Sequence, residues 1–248
     1  MLKRYGGLLV LAAGLLTASG ATYAVLYALF ENVRDMVFYT ILDLAFLPIQ
    51  VVLVGIVIEG LLARRQRRER MHKMNMVIGV FFTELGTRLL GDLTRSLANR
   101  DSVARAIGVR ADWKAVDFSR ALAYASQTQW QVDPARLDLA ALRSELAAKR
   151  DLIVLLLANP NLLEHERFTD LLWSVSHVME ELAARPSLEG LPQADRDHLV
   201  GDVKRVYSGL AGEWLRYCRH LQHAYPYIFS VIVRTHPLQE NPSATVET

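Results

Sequence analysis

The feature that most constrains this chain is a run of 25 residues without a charged side chain, Gly6–Phe30. As an α-helix this run spans about 37 Å, which exceeds the roughly 30 Å hydrocarbon core of a bilayer. A second apolar run, Met36–Leu62, follows after a short connection and contains Asp43 and Glu59. Two such runs in tandem predict a transmembrane helical hairpin over residues 1–63, rather than two core helices of a soluble protein.

The charged flanks predict the orientation of this hairpin. Lys3 and Arg4 precede the first run, whereas the connecting loop offers only Arg34. Short segments rich in Lys and Arg stay cytoplasmic, so both termini are predicted to face the cytoplasm, in the inner membrane of a bacterium. We also expect the basic cluster after the second run to contact anionic lipid headgroups. This cluster comprises Arg64, Arg65, Arg67, Arg68, Arg70 and Lys73.

A secretory signal is the alternative interpretation of the N-terminus. Lys3 and Arg4 would form its basic region, Leu8–Leu16 its apolar region, and Ala18-Ser19-Gly20 a small-residue cleavage site. The apolar run continues through Phe30, which favours an uncleaved anchor. Cleavage would still leave the arginine cluster, and most of the chain, in the cytoplasm.

Two acidic residues within the second run are candidate functional groups, because ionisable side chains inside a bilayer are usually functional. Asp43 and Glu59 both lie near the ends of the run. An interfacial position, where charge costs little, is therefore the favoured interpretation of each. In the first run, Gly20, Ala24 and Ala28 recur every four residues, a spacing that lets helices pack closely in lipid. The partner would be the second run, another copy of the chain, or a different membrane protein.

The rest of the chain predicts one cytoplasmic all-helical domain over residues 64–236 and a disordered polar tail over 237–248. Met71–Arg100 has apolar residues at helical spacing and fits either a helix on the membrane surface or, as we favour, a core helix of the bundle. Asp133-Pro134 and Asn159-Pro160 resemble helix starts. The further predicted helices are Trp113–Trp130, 134–158, Asn161–Ala184, Gln193–His223 and Ile228–Val233.

Charge and motifs exclude several functions. The net charge of +2 divides into +4 for residues 1–73 (nine basic, five acidic) and −2 for the remainder (19 basic, 21 acidic), so a nucleic-acid binder is not expected. A single cysteine excludes an intramolecular disulfide or a multi-cysteine zinc site. The sequence contains no phosphate-binding loop, dinucleotide fingerprint or nucleophile elbow. We therefore predict no cofactor and name no catalytic residue.

Histidines and carboxylates supply only weak metal-binding candidates. His177 and Glu181 are one helical turn apart, and His220 and His223 form a second pair. Two imidazoles and a carboxylate from neighbouring helices would bind a transition metal. A histidine that is exposed, or hydrogen-bonded within the core, is the favoured interpretation of each.

Three strings resemble those of uncharacterised bacterial integral-membrane proteins of this size. They are Asp43–Pro48 (DLAFLP), Asn75–Gly86 (NMVIGVFFTELG) and Tyr225–Phe229 (YPYIF). The resemblance covers most of the chain and implies no activity, catalytic residue or cofactor.

Three functions are compatible with these patterns. The leading hypothesis is a non-enzymatic membrane protein whose hairpin tethers a helical interaction, scaffold or regulatory domain. The second is a subunit of an oligomeric channel or transporter that uses Asp43. The third is a membrane-bound metalloenzyme that uses His177, Glu181, His220 or His223.

Overall fold

The protein is described from a computed structural model that covers residues 2–30, 32–160, 162, 165–239 and 241–245, without the side chains of residues 2–9, 30 and 66–73. The described residues are helical, and their only β-type pairing is an isolated bridge between Leu97 and Val132. The chain divides into two compact units, Met1–Arg67 and Arg68–Thr248.

Two long apolar helices form the first unit. They are α1 (Leu2–Phe30) and α2 (Val33–Phe81), and the division between the units falls within α2. Asn32 starts α2, because its side-chain carbonyl accepts a hydrogen bond from the backbone N–H of Asp35 at 3.3 Å. The segments Val10–Leu29 and Val33–Arg65 are long and apolar enough to cross a membrane, and their most apolar windows contain no buried residue.

The second unit begins within α2 and continues through a π-helical turn, Phe82–Gly86, into eight further helices of the described chain. These are α3 (Thr87–Arg95), α4 (Arg100–Ile107), α5 (Ala115–Gln127), α6 (Leu139–Ala148), α7 (Arg150–Leu157), α8 (Glu166–Ala184), α9 (Gln193–Ala224) and α10 (Pro226–Thr235). The all-helical bundle expected from the sequence is thus confirmed.

Two consecutive phenylalanines enter the core where α2 meets the π-helical turn. Phe81 packs edge-on against Phe168 of α8, with ring centroids 5.3 Å apart, while Phe82 stacks on Tyr217 of α9 at 5.0 Å. Both rings are fully buried. Gly86 closes the turn, since a Cβ there would lie only 2.6 Å from the Phe81 ring.

Helix α9 lies at the centre of the bundle and contacts α3, α5, α8 and α10. Trp214 and Tyr207 are completely buried, and the Tyr207 hydroxyl hydrogen-bonds to Thr94 of α3 at 2.8 Å. Burial raises the pKa of the Tyr207 phenol above its usual value. The apolar face predicted within 71–100 also packs in this core, through residues such as Leu85 and Leu89.

Two predicted helix starts differ from the structure. The Asp133 carboxylate accepts from the N–H of Ala135, which forms a turn, and helix α6 starts only after Asp138, whose carboxylate accepts from Ala141 at 2.8 Å. Similarly, α8 starts after His165, whose ring nitrogen accepts from Phe168 at 3.1 Å, and not after Asn159. Asx-Pro pairs suit a turn as well as a helix start, so local sequence did not distinguish the two. Asn161 lies outside the described residues.

The first residues after α10 pack against the bundle, including Pro237 and Leu238 of the predicted disordered tail, whereas residues 241–245 are exposed. His236 is buried, and its Nε2 lies 3.0 Å from the carbonyl oxygen of Val109, while its Nδ1 accepts a hydrogen bond from the N–H of Leu238. Leu238 is itself buried, and Pro237 packs against Gly91, where a Cβ would lie 2.5 Å away. Residues 240 and 246–248 lie outside the described part of the chain.

A nearly buried carboxyl group on α6 makes the stability of this unit depend on pH. Glu145 lies 3.2 Å from the Arg88 guanidinium and close to Asp92 of α3. Burial, reinforced by the hydrogen bond to Asp92 and the charge of Asp92, raises the pKa of Glu145 from 4.5 to about 7. Between these two values the folded protein holds a proton that the unfolded chain has released.

We therefore predict that Glu145 contributes a fall in the free energy of unfolding, of up to about 3 kcal/mol, as pH rises from about 5 to 8. Glu145→Gln, which keeps the shape of the protonated carboxyl, should remove this part of the pH dependence. Urea unfolding of the full chain in detergent, followed by near-ultraviolet circular dichroism at several pH values, measures it. Glu180→Gln, at an exposed position on α8, is the control. An unchanged pH slope in Glu145→Gln would contradict the prediction.

Candidate metal centre

Helices α8 and α9 bring together two histidines and a buried aspartate. His177 belongs to α8, and His198 and Asp202 are one turn apart on α9. One ligand atom from each residue lies within 4.8 Å of the other two. The two helices are adjacent in sequence and pack closely, so this face of the bundle is assembled from a single helical hairpin.

The separations fit a metal ion better than direct hydrogen bonds. His177 Nε2 and His198 Nε2 lie 3.4 and 3.3 Å from the same oxygen, Asp202 Oδ2. Hydrogen bonds from a charged nitrogen to a carboxylate are usually about 2.7–2.9 Å. In a tetrahedral zinc site with bonds of about 2.0–2.1 Å, neighbouring ligand atoms are about 3.3 Å apart.

Among the described residues, the aspartate oxygen at the centre of this group has no hydrogen-bond partner. Asp202 is only 3% exposed, and its Oδ2 is buried without a hydrogen bond from the described part of the chain, while its Oδ1 accepts one from Arg205 Nη1 at 3.0 Å. A buried carboxylate oxygen is costly unless a cation or a donor compensates its charge. Arg205 therefore orients the carboxylate through one oxygen and leaves the other directed at the two imidazoles.

A second layer of charge lies beside this group. Glu181, one turn after His177 on α8, has its Oε2 3.7 Å from His198 Nε2, but it accepts a shorter hydrogen bond, 2.7 Å, from Arg185. Arg185 also donates two hydrogen bonds to Asp195, at 2.6 and 2.9 Å. These hydrogen bonds hold the pKa of Glu181 and of Asp195 below their usual values. Arg185 thus ties the end of α8 to the start of α9.

The donor set indicates the class of metal. Two imidazole nitrogens and one carboxylate oxygen suit zinc, iron, cobalt, nickel or manganese more than calcium or magnesium. The histidine side chains are 44% and 52% exposed, so a bound ion would retain contact with solvent. Three protein ligands with an open position also occur in catalytic zinc sites.

The structure places only two of the four predicted metal candidates at this cluster. His177 and Glu181 lie at or beside the cluster. His220 instead has its Nδ1 3.2 Å from the side-chain amide of Asn75 and its ring against Tyr225, and His223 is exposed near the end of α9.

Sequence reasoning missed the two residues that α9 contributes. His198 and Asp202 are four apart, so they share one helical face, and this i,i+4 pair was the available signal. His177 and Glu181 have the same spacing on α8. The two pairs lie on antiparallel helices, so the first residue of one pair faces the second residue of the other. His177 lies opposite Asp202, and Glu181 lies opposite His198.

The other predicted site residues lie in the first unit or, like Arg68, Arg70 and Lys73, at the start of the second. Asp43 lines a cavity of about 870 Å³ between α1 and α2, whereas Glu59 does not line it. The remaining polar lining includes Ser19, Thr22, Tyr23, Asn32, Asp35 and Tyr39. Arg64 and Arg65 are exposed on α2. The side chains of Arg67, Arg68, Arg70 and Lys73 lie outside the described part of the structure.

Comparisons with known proteins match both units of the chain. Residues 3–62 match the family described as "MJ1433, N-terminal helical domain", and residues 70–234 match "Uncharacterized protein MJ1433, C-terminal helical domain". "Uncharacterized protein MJ1433" of Methanocaldococcus jannaschii is 34% identical over 245 residues, which cover 99% of this chain and 97% of the relative.

These comparisons add no activity. The relative comes from an archaeon, so they do not support the bacterial source that the resemblance implied. No solved structure matches the chain.

Proposed function

The chain belongs to the MJ1433 family, and on that premise we propose that it is a membrane-anchored regulatory module whose helical domain binds a divalent transition-metal ion. The single observation that carries the metal site is the buried Asp202 oxygen, which is directed at two imidazole nitrogens and accepts no hydrogen bond from the residues that the structure describes. Bound metal would compensate this buried charge and link α8 to α9. The regulatory signal would be the availability of the ion, which reaches the site from solvent.

The anchor is the two-helix unit. Its apolar side chains are exposed in the structure, which supports a lipid environment over a soluble core. The basic residues that follow the second apolar segment support a cytoplasmic helical domain, with anionic lipid as the expected neighbour of the cluster.

A metalloenzyme is the alternative use of the same site, because a water molecule on the open metal position would be activated there. We prefer the regulatory interpretation because we have assigned no catalytic acid, base or nucleophile among the described residues.

We predict that the full chain binds one zinc ion per molecule. The protein, purified in detergent through a tag without histidine and stripped with EDTA, should bind zinc in a calorimetric titration. Removing one ligand should weaken binding at least about tenfold, so His177→Asn, His198→Asn and Asp202→Asn are each tested. At a zinc concentration about 100 times Kd, the free energy of unfolding should rise by about 2.7 kcal/mol.

His223→Asn is the matched control for this titration, because His223 is an exposed histidine on the same helix. It should bind zinc like the parent chain. Asp202→Asn retains the oxygen that accepts from Arg205, so thermal unfolding can verify that it still folds. Zinc binding that survives in Asp202→Asn, or is absent from the parent chain, would exclude the site.

The proposed topology predicts which introduced thiols a membrane-impermeant maleimide can reach. The one native cysteine, Cys218, is fully buried, so the parent chain should remain unlabelled. In intact spheroplasts, Val33→Cys at the first residue of α2 should be labelled, whereas Glu189→Cys in the loop before α9 should be labelled only after lysis.

Two outcomes would contradict this topology. Labelling of Glu189→Cys in intact spheroplasts would place the helical domain outside, and recovery of the chain in the soluble fraction would remove the anchor.

An intact mass well below 27.9 kDa would show that the first helix is a cleaved signal.

The hairpin cavity favours a second candidate function, a subunit of a cation channel or transporter assembled from several copies. Asp43 and Asp35 line this cavity, and its lining includes no basic residue, so the described groups would favour a cation.

For this candidate, Asp43→Asn should reduce cation flux at least about tenfold in proteoliposomes, since it removes the charge that attracts the ion. Glu59→Gln, outside the cavity on the same helix, is the control and should leave flux unchanged. Size-exclusion chromatography verifies that the assembly is intact. No flux from the parent chain, or equal flux from Asp43→Asn, would exclude the candidate.

A further inference from the structure

An open groove of about 780 Å³, lined by both apolar and charged residues, lies between α5, α8 and α9 in the second unit. We propose that it binds a small molecule that carries a phosphate group and a planar ring, a nucleoside monophosphate being the simplest example. The groove includes neither histidine of the metal cluster, but it shares Arg205 with that cluster through the hydrogen bond to Asp202, so the two sites are tested with separate ligands.

A buried carboxylate organises the basic side of the groove. Glu213 is only 2% exposed, and its Oε1 accepts a hydrogen bond from Arg216 Nη1 at 2.9 Å and lies 3.7 Å from Arg167 Nε. This arrangement compensates the buried charge and holds two guanidinium groups at the groove. A guanidinium has five N–H donors, so most donors of Arg167 and Arg216 are available to a ligand.

A third guanidinium adds donors for an anion. Arg205 also lines the groove and is held by its hydrogen bond to Asp202, which lies outside the lining. The lining contains three arginines and the carboxylates Asp170 and Glu213. Arginine pairs with phosphate through parallel hydrogen bonds, which makes phosphate the anion that this set suits best.

Two glycines provide the space for a ligand. Gly209 and Gly212 line the groove on α9. A Cβ at Gly212 would lie 3.0 Å from Arg216 Nη1 and displace that guanidinium. At Gly209 a Cβ would lie 3.3 Å from the Leu171 side chain, so the glycine also permits close packing of α8 on α9.

An exposed tryptophan supplies a surface for a planar ring. Trp173 lines the groove and is 61% exposed, whereas the other three tryptophans are buried. A large exposed aromatic side chain beside arginines fits base stacking together with phosphate binding. Asp170, exposed on α8, can accept a hydrogen bond from a sugar hydroxyl.

The distribution of tryptophans provides a specific signal for binding. The full chain, in phosphatidylcholine nanodiscs with EDTA present, is titrated with AMP and with inorganic phosphate. AMP should quench the fluorescence of Trp173 at saturating concentrations, and calorimetry should give the same Kd. Trp173→Phe should abolish the quenching and weaken AMP binding severalfold, while phosphate binding stays unchanged.

Two matched arginine variants test the phosphate contact. Arg167→Gln should weaken both AMP and phosphate at least about tenfold, the usual effect of losing a hydrogen bond to a charged group. Arg110→Gln is the control, because Arg110 is 65% exposed against 67% for Arg167 and also has one carboxylate partner, but it lies outside the groove.

The same titration in nanodiscs containing phosphatidylglycerol distinguishes a soluble ligand from a lipid headgroup. Equal AMP affinity in both lipids supports the proposal. Loss of AMP binding only with phosphatidylglycerol would assign the arginines to lipid phosphate and overturn it. No AMP binding in phosphatidylcholine, or equal affinity in Arg167→Gln, would also overturn it. Zinc binding is measured separately, so failure of one site leaves the other tested on its own.

Discussion

The compensation of buried negative charge where α8 packs on α9 underlies both candidate sites. Asp202 and Glu213 are buried carboxylates on α9, and they lie three helical turns apart, so they share one side of the helix. Helix α8 supplies His177 opposite the first and Arg167 opposite the second. Burial of a carboxylate is tolerated only with such partners. The contact between α8 and α9 therefore contains buried carboxylates and their basic partners within an otherwise apolar bundle.

The two carboxylates are compensated to different extents. Glu213 receives a hydrogen bond from Arg216 and faces a second arginine, so its charge is satisfied by the protein and serves to position those guanidinium groups. Asp202 has one oxygen bound to Arg205 and the other facing imidazoles at distances too long for strong hydrogen bonds. This difference explains why one end of the contact suits a phosphate-bearing ligand and the other suits a metal ion. Arg205 belongs to both ends, because it hydrogen-bonds to Asp202 and also lines the groove beside Glu213.

The two units place their apolar residues differently. In the bundle, aromatic side chains from α2, α8 and α9 are buried together, and Phe81 and Phe82 both belong to this core. In the first unit, the described apolar side chains are exposed, and several polar ones, including Asp43, line a cavity. The proposed lipid environment of the first unit would account for this contrast.

The sequence by itself determined the helical class, the two apolar segments, and the extent of α9, predicted over 193–223 and found over Gln193–Ala224. These properties depend on patterns within one segment, which a periodicity of 3.6 residues reveals. It placed the starts of α6 and α8 too early, because an Asx-Pro pair begins turns as well as helices. Only the tertiary structure decided that His177 faces Asp202 and His198 rather than His220 or His223. A helical pattern shows which residues share a face, but the register between two packed helices depends on side chains along their whole contact, so the ligand set cannot be inferred from either helix alone.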